Sequence, residues 1–141
     1  MGWIEEHSIV VLVKDLGGVL IVGCGHQTLP FLLKRYHDAF DAPLYGVIGG
    51  VHFPVPEGRI KLGPIDVQRR LASGAGPFDP LSMKEVDEQI ALLAELNLGV
   101  VAVSGHDSSD EVIERIAKAI PDAHQYVKVG RPIVIEAVAP R

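Results

Sequence analysis

One cysteine in 141 residues excludes an internal disulfide, so nothing covalent holds this chain together. No apolar run reaches the roughly 18 residues that a membrane span requires; the longest, residues 8–13 and 19–23, are strand-sized. Basic charge is short as well. Thirteen Lys and Arg stand against eighteen Asp and Glu, and the net charge of −5 argues against nucleic acid or an anionic membrane as the main partner. Glu5 and Glu6 lie where a secretory leader would be basic and then apolar. The expectation is a cytoplasmic protein, with no nucleic-acid and no membrane partner. There is no tandem repeat and no low-complexity tract. What the chain does have is a hydrophobic content of 48%. At this length one domain over residues 1–141 is expected, burying roughly two-thirds of its unfolded surface.

Hydrophobic spacing divides the chain. Residues 9–13 and 19–22 are apolar and β-branched around the turn cluster Lys14-Asp15-Leu16-Gly17-Gly18, which predicts a hairpin or two adjacent strands. Leu29, Leu32, Leu33, Tyr36 and Phe40 then share a helical face, with Thr28 as N-cap and Pro30 in the tolerant first turn. Residues 44–48 form the next strand, closed by Gly49-Gly50. Residues 53–81 hold five of the ten prolines and four glycines, and read as a functional insertion that serves as a lid or binding loop, with a short helical turn at 65–71. Ser82 with Glu85 makes a capping box before Met83, Val86, Ile90, Leu93 and Leu96. A strand at 100–103 follows. Ser108 with Glu111 predicts a second capping box, opening a helix that Pro121 ends, and strands at 126–129 and 133–138 close the chain. Alternation of this kind predicts an α/β fold with helices packed on a sheet.

The chemical signal is positional. Three apolar strands each run into a glycine-containing turn with a histidine: Gly23-Cys24-Gly25-His26, Gly49-Gly50 before His52, and Ser104-Gly105-His106. In α/β sheets, ligands gather at the carboxyl ends of strands. If the three strands are parallel neighbours, the imidazoles share one edge and suit a metal, since three protein ligands with an open position make a catalytic zinc site. The bland alternative is that each histidine caps a turn. Cys24 offers either a soft ligand or a small residue packed under its turn. Asp107 is placed to hold a histidine's second nitrogen, or else is a solvated loop residue. His37 and His124 read as solvated and turn residues. A phosphate loop at Gly23-Cys24-Gly25 lacks both the third glycine of a dinucleotide fingerprint and a Walker lysine.

Those motifs, with Ile48-Gly49-Gly50-Val51-His52-Phe53 and Ser104-Gly105-His106-Asp107, resemble the metallo-β-lactamase-fold superfamily. The resemblance is to the branch of the dihydropterin-aminobenzene phosphate synthases, whose members read G-C-S-H, G-G-F-H and a late C-H-C-T-G. It extends over nearly the whole chain apart from the insertion. It implies the C-terminal half of a four-layer αββα sandwich: a mixed sheet with helices on one face. By position it makes His26, His106 and His52 metal ligands, with Cys24 in a place that aspartate fills in other branches. Gly25, Gly50, Ser104 and Asp107 then fall beside a small-molecule substrate. Zinc is the implied cofactor, with manganese or iron as substitutes. Two departures stand out. The H-x-H-x-D-H motif of the family's N-terminal half is absent from the sequence, and His106 is flanked by Gly105 and Asp107 where the family often has cysteines. The expected activity is that of a metal-dependent hydrolase or the C-terminal part of one; the alternative is a non-catalytic half-domain that binds metal or phosphate. Half a sandwich leaves a sheet face uncovered, so a homodimer, or a separate chain carrying the missing half, is the expected partner.

Overall fold

A computed structural model of the chain describes residues 5–73 and 78–136. Strands β1 (Ser8–Val13) and β2 (Gly17–Val22) form the expected antiparallel hairpin, with Ile9 opposite Ile21 and Val11 opposite Val19. Helix α1 (Leu29–Ala39) leads to β3 (Leu44–Gly49), which lies parallel to β2. The insertion folds into a small hairpin, β4 (Lys61–Leu62) and β5 (Ile65–Asp66), followed by α2 (Val67–Ala72). Helix α3 (Met83–Glu95), strand β6 (Val100–Val103) and helix α4 (Asp110–Ala119) complete the regular structure. The main sheet runs β1-β2-β3-β6, with β6 parallel to β3. This is a mixed sheet in an α/β fold.

Side-chain alternation decides which face is covered. Leu20, Val22, Val47, Val101 and Val103 share one core with Leu29, Leu32 and Leu33 of α1, Val86, Ile90 and Leu93 of α3, and Val112 and Ile116 of α4. Each such buried aliphatic side chain contributes about 1.5–3 kcal/mol. On the opposite face the register aligns Val11, Val19, Gly46 and Val100, and beside them Ile9, Ile21, Ile48 and Ala102. Val19, Val100 and Ala102 are buried, yet Ile9, Val11 and Ile21 are 62%, 45% and 38% exposed. The open apolar patch therefore sits on the β1–β2 side.

Local chemistry explains the boundaries. Tyr36 is buried, and its hydroxyl donates to the Ala42 carbonyl at 2.9 Å; Gly18 lacks the Cβ that would collide with that hydroxyl. Ser82 and Glu85 form the predicted capping box. The second box is not formed. Ser109, one residue later than expected, caps α4 by accepting from the Val112 amide, while Ser108 accepts from the Phe53 amide and so holds the insertion to the sheet edge. Thr28 sits at the start of α1 with φ of 71° and makes no side-chain cap.

The closing strands need a larger correction. Residues 126–129 are not a strand: the Tyr126 ring packs edge-on against His124, and its hydroxyl donates to Glu114 at 2.9 Å. Among the described residues of this segment, His124 alone bridges to β6, at Val101. Residues 133–136 are irregular, and residues 137–138 of that expected strand lie outside the described residues. Among the described residues, no helix is long and apolar enough to cross a membrane.

Candidate metal centre

Parallel pairing in register brings the ends of β2, β3 and β6 to one edge: Val22 lies beside Gly49, and Gly49 beside Val103. The turns that follow lock together through the backbone. The Gly50 amide donates to the Gly23 carbonyl at 2.8 Å, and the Ser104 amide to the Gly49 carbonyl at 2.8 Å. Gly25 has φ of 82°, and a Cβ on it would lie 2.5 Å from the Gly50 carbonyl oxygen. Gly50 matters most. A Cβ there would fall 2.2 Å from Asp107 Oδ2 and 2.5 Å from the Cys24 carbonyl oxygen. Because the residue that follows β3, Gly50, has no side chain, the turns after β2 and β6 meet across it.

Three donors meet there. One ligand atom each of Cys24, His106 and Asp107 lies within 4.8 Å of the other two. His106 is exposed, Cys24 is half-buried and Asp107 is 2% exposed. Ser104 accepts from the His106 amide at 3.1 Å and shapes that turn. The expected ligands His26 and His52 pack on each other, ring centroids 4.1 Å apart, and neither joins the three-donor cluster. They line a neighbouring cavity of about 340 Å³ together with Val51, Phe53, Leu81 and Gln89. Gly25 also lines that cavity, whereas Gly50 acts through the close approach just described.

Burial sets the electrostatics of the cluster. Burial pushes the Asp107 carboxyl up to about 6; a hydrogen bond from Asp107's own backbone, His106 and His26 oppose the rise, and Glu6 adds a little to it. Burial also raises the Cys24 thiol, helped by the charges of Asp107 and then Glu6. Asp107 Oδ1 is buried with no hydrogen-bond partner among the described residues. Thiolate, imidazole and carboxylate are zinc's ordinary donors, and a divalent cation would satisfy the orphaned oxygen, so the residues present fit a metal.

A stability consequence follows for the metal-free protein. An aspartate whose folded pKa lies above its unfolded value favours the fold when protonated, and that contribution is lost as pH rises through about 6. Asp107→Asn, neutral throughout, is expected to stabilise the chelator-treated protein by about 1–2 kcal/mol at pH 7.5, allowing for partial solvation. Near pH 4 the gain should vanish. Thermal melts at the two pH values check this, and an equal effect at both would contradict it.

Glu6 braces the turn after β2, a contact the sequence reading missed. It precedes β1, and its Oε1 accepts from the Gly25 amide at 2.5 Å while its carbonyl accepts from the Gln27 side chain at 3.0 Å. The available signal was register: Ser8 pairs with Val22, so residue 6 continues the ladder toward residue 24.

No protein-family model and no curated protein matches this chain. Among solved structures it is similar to the crystal structure of a metal-dependent hydrolase of the β-lactamase superfamily, with a TM-score of 0.65 and 16% identity. The match covers 92% of this chain and 40% of that one. The likeness shows a shared fold, and the chain spans well under half the length of that neighbour.

Proposed function

We propose that this chain forms one half of a metal-dependent hydrolase. The observation that carries the reading is the meeting of Cys24, His106 and Asp107 across Gly50, at the carboxyl ends of parallel strands. The fold shared with a metal-dependent hydrolase supports it. Cys24, His106 and Asp107 would hold a divalent cation, zinc or in its place manganese or iron, which when bound supplies Lewis-acid activation of water near neutral pH. The chain's own residues do the rest. His26 and His52 present imidazole to the cavity, and the apolar walls Val51, Phe53 and Leu81 exclude bulk water from a small substrate. Ser104 and Gly50 set the turns, and Gln68 holds the His106 carbonyl at 3.5 Å from the insertion. The motif resemblance favours the dihydropterin-aminobenzene phosphate synthase-like branch, with phosphate esters, lactone-like esters or pterin-related compounds as substrates, and the composition favours the cytoplasm as the place of action.

The exposed Ile9, Val11 and Ile21 favour association through the β1–β2 face, with a second copy or with a chain carrying the other half. A second reading, the non-catalytic half-domain, is favoured by the missing H-x-H-x-D-H motif. One experiment separates them: light scattering on zinc- or manganese-loaded protein, with chromogenic ester and phosphodiester assays on each eluted species. The hydrolase reading expects turnover in a species of at least two chains, abolished by His106→Ala. Metal-loaded protein without turnover in any species would overturn a hydrolase built from copies of this chain alone.

A further inference from the structure

We infer that Gln68 and Arg59 of the insertion are positioning residues for the donors His106 and Asp107; the inference rests on the metal reading above. Gln68 is buried on α2, and its Nε2 donates to the His106 carbonyl at 3.5 Å. Arg59 lies in the loop before β4. Its Nη2 donates to the Ser108 carbonyl at 3.3 Å and pairs with the Asp110 carboxylate. The carbonyls of the two residues that flank Asp107 are therefore held by two side chains of one segment. Those side chains are also tied to each other, because Gln68 Oε1 accepts from the Arg59 amide at 2.6 Å.

The insertion is itself fixed around this pair. Asp66 accepts from the Gly58 amide at 2.6 Å and caps α2 by accepting from the Arg69 amide at 2.8 Å. The Ser109 amide donates to the Phe53 carbonyl at 3.1 Å, so the turn after β6 is bonded to the insertion at residues 53, 59 and 68. A cation is held well only by donors kept within a narrow range of positions, so whatever fixes the peptide groups on either side of Asp107 also aims its carboxylate. Charge separates this role from a direct electrostatic one. Arg59 Nη2 would lie 3.6 Å from a Cβ on Gly105, the neighbour of His106. Coulomb's law alone predicts that removing a positive group there strengthens cation binding. Positioning predicts the reverse.

Arg59→Met and Gln68→Met test this, because methionine keeps an unbranched side chain and removes the donors. Lys61→Met is the control: it deletes another positive charge of the insertion, one paired with Glu57. The probe is cobalt(II), titrated into chelator-treated protein and followed by its visible spectrum, with circular dichroism melts of the metal-free proteins alongside. Wild type and Lys61→Met are expected to take up one cobalt per chain with the same affinity. Arg59→Met and Gln68→Met should each bind about tenfold more weakly, with an altered ligand-field spectrum. Arg59→Lys, which keeps a donor for the Ser108 carbonyl, should recover part of the affinity. Wild-type or tighter binding with an unchanged spectrum in Arg59→Met and Gln68→Met would overturn the positioning role, even if their melts fall, and leave the three-donor site standing. Should Gln68→Met fail to fold, Arg59→Met decides alone, because that side chain is 43% exposed. No cobalt uptake by wild type would overturn the metal reading and this inference together.

Discussion

Gly50→Ala is expected to cost about 3 kcal/mol or more and to abolish metal uptake. The added Cβ would lie 2.2 Å from the Gly23 carbonyl oxygen, 2.2 Å from Asp107 Oδ2 and 2.5 Å from the Cys24 carbonyl oxygen. Two of those atoms are backbone, so no side-chain rotation relieves the overlap. Overpacking a tight site commonly costs 1–3 kcal/mol, and more when the backbone must move. The Gly50 amide is also committed to the Gly23 carbonyl, and shifting one turn drags the other. Gly105→Ala is the control. It lies one residue from His106, but its Cβ would meet nothing closer than 3.6 Å, and its stability and metal uptake should match wild type. Urea denaturation of the three proteins checks the contrast; equal midpoints for Gly50→Ala and wild type would refute the packing account.

The second large effect is loss of metal when a donor is removed. Cys24→Ala and His106→Ala should each weaken zinc binding by more than about a hundredfold, since even outer partners of a metal site commonly cost 10–100-fold. The two differ in what else they touch. His106 is exposed, so its removal should leave the metal-free protein as stable as before. Cys24 is half-buried, and its truncation also leaves a small void. His37→Ala should change nothing at the site, because that ring lies on α1 against Tyr36. Isothermal titration with zinc reads all three, and undiminished binding in His106→Ala would remove that residue from the site.

Much of this arrangement was legible before any coordinates. Strand-to-glycine-to-histidine runs at Val22, Gly49 and Val103 implied a common edge, and parallel order β2-β3-β6 supplies it. The periods of α1, α3 and α4 gave their buried faces because helical spacing is a strong signal. The donor set was harder to read. Which side chain turns inward is decided by a few torsions within each turn, and the sequence does not encode those by spacing. Asp107 read as a partner for a histidine nitrogen or a solvated loop residue, and by resemblance as lying beside substrate; the missing side chain at Gly50 opens the gap that its carboxylate occupies. His26 and His52 looked like ligands, and their rings pair instead beside the cavity. The brace from Glu6 to the Gly25 amide was hidden because the two residues lie 19 apart in sequence. The missed ends at 126–129 show the opposite error: apolar residues such as Val127 and Val129 read as strand while standing exposed.

The claim on which the account turns is that this edge holds a metal ion. Its most direct test is the zinc-to-chain ratio of untagged protein by elemental mass spectrometry, after incubation with zinc and desalting, beside Asp107→Ala. A ratio of about one, lost in the variant, is the predicted result. Zinc-free wild-type protein after the same treatment would contradict it.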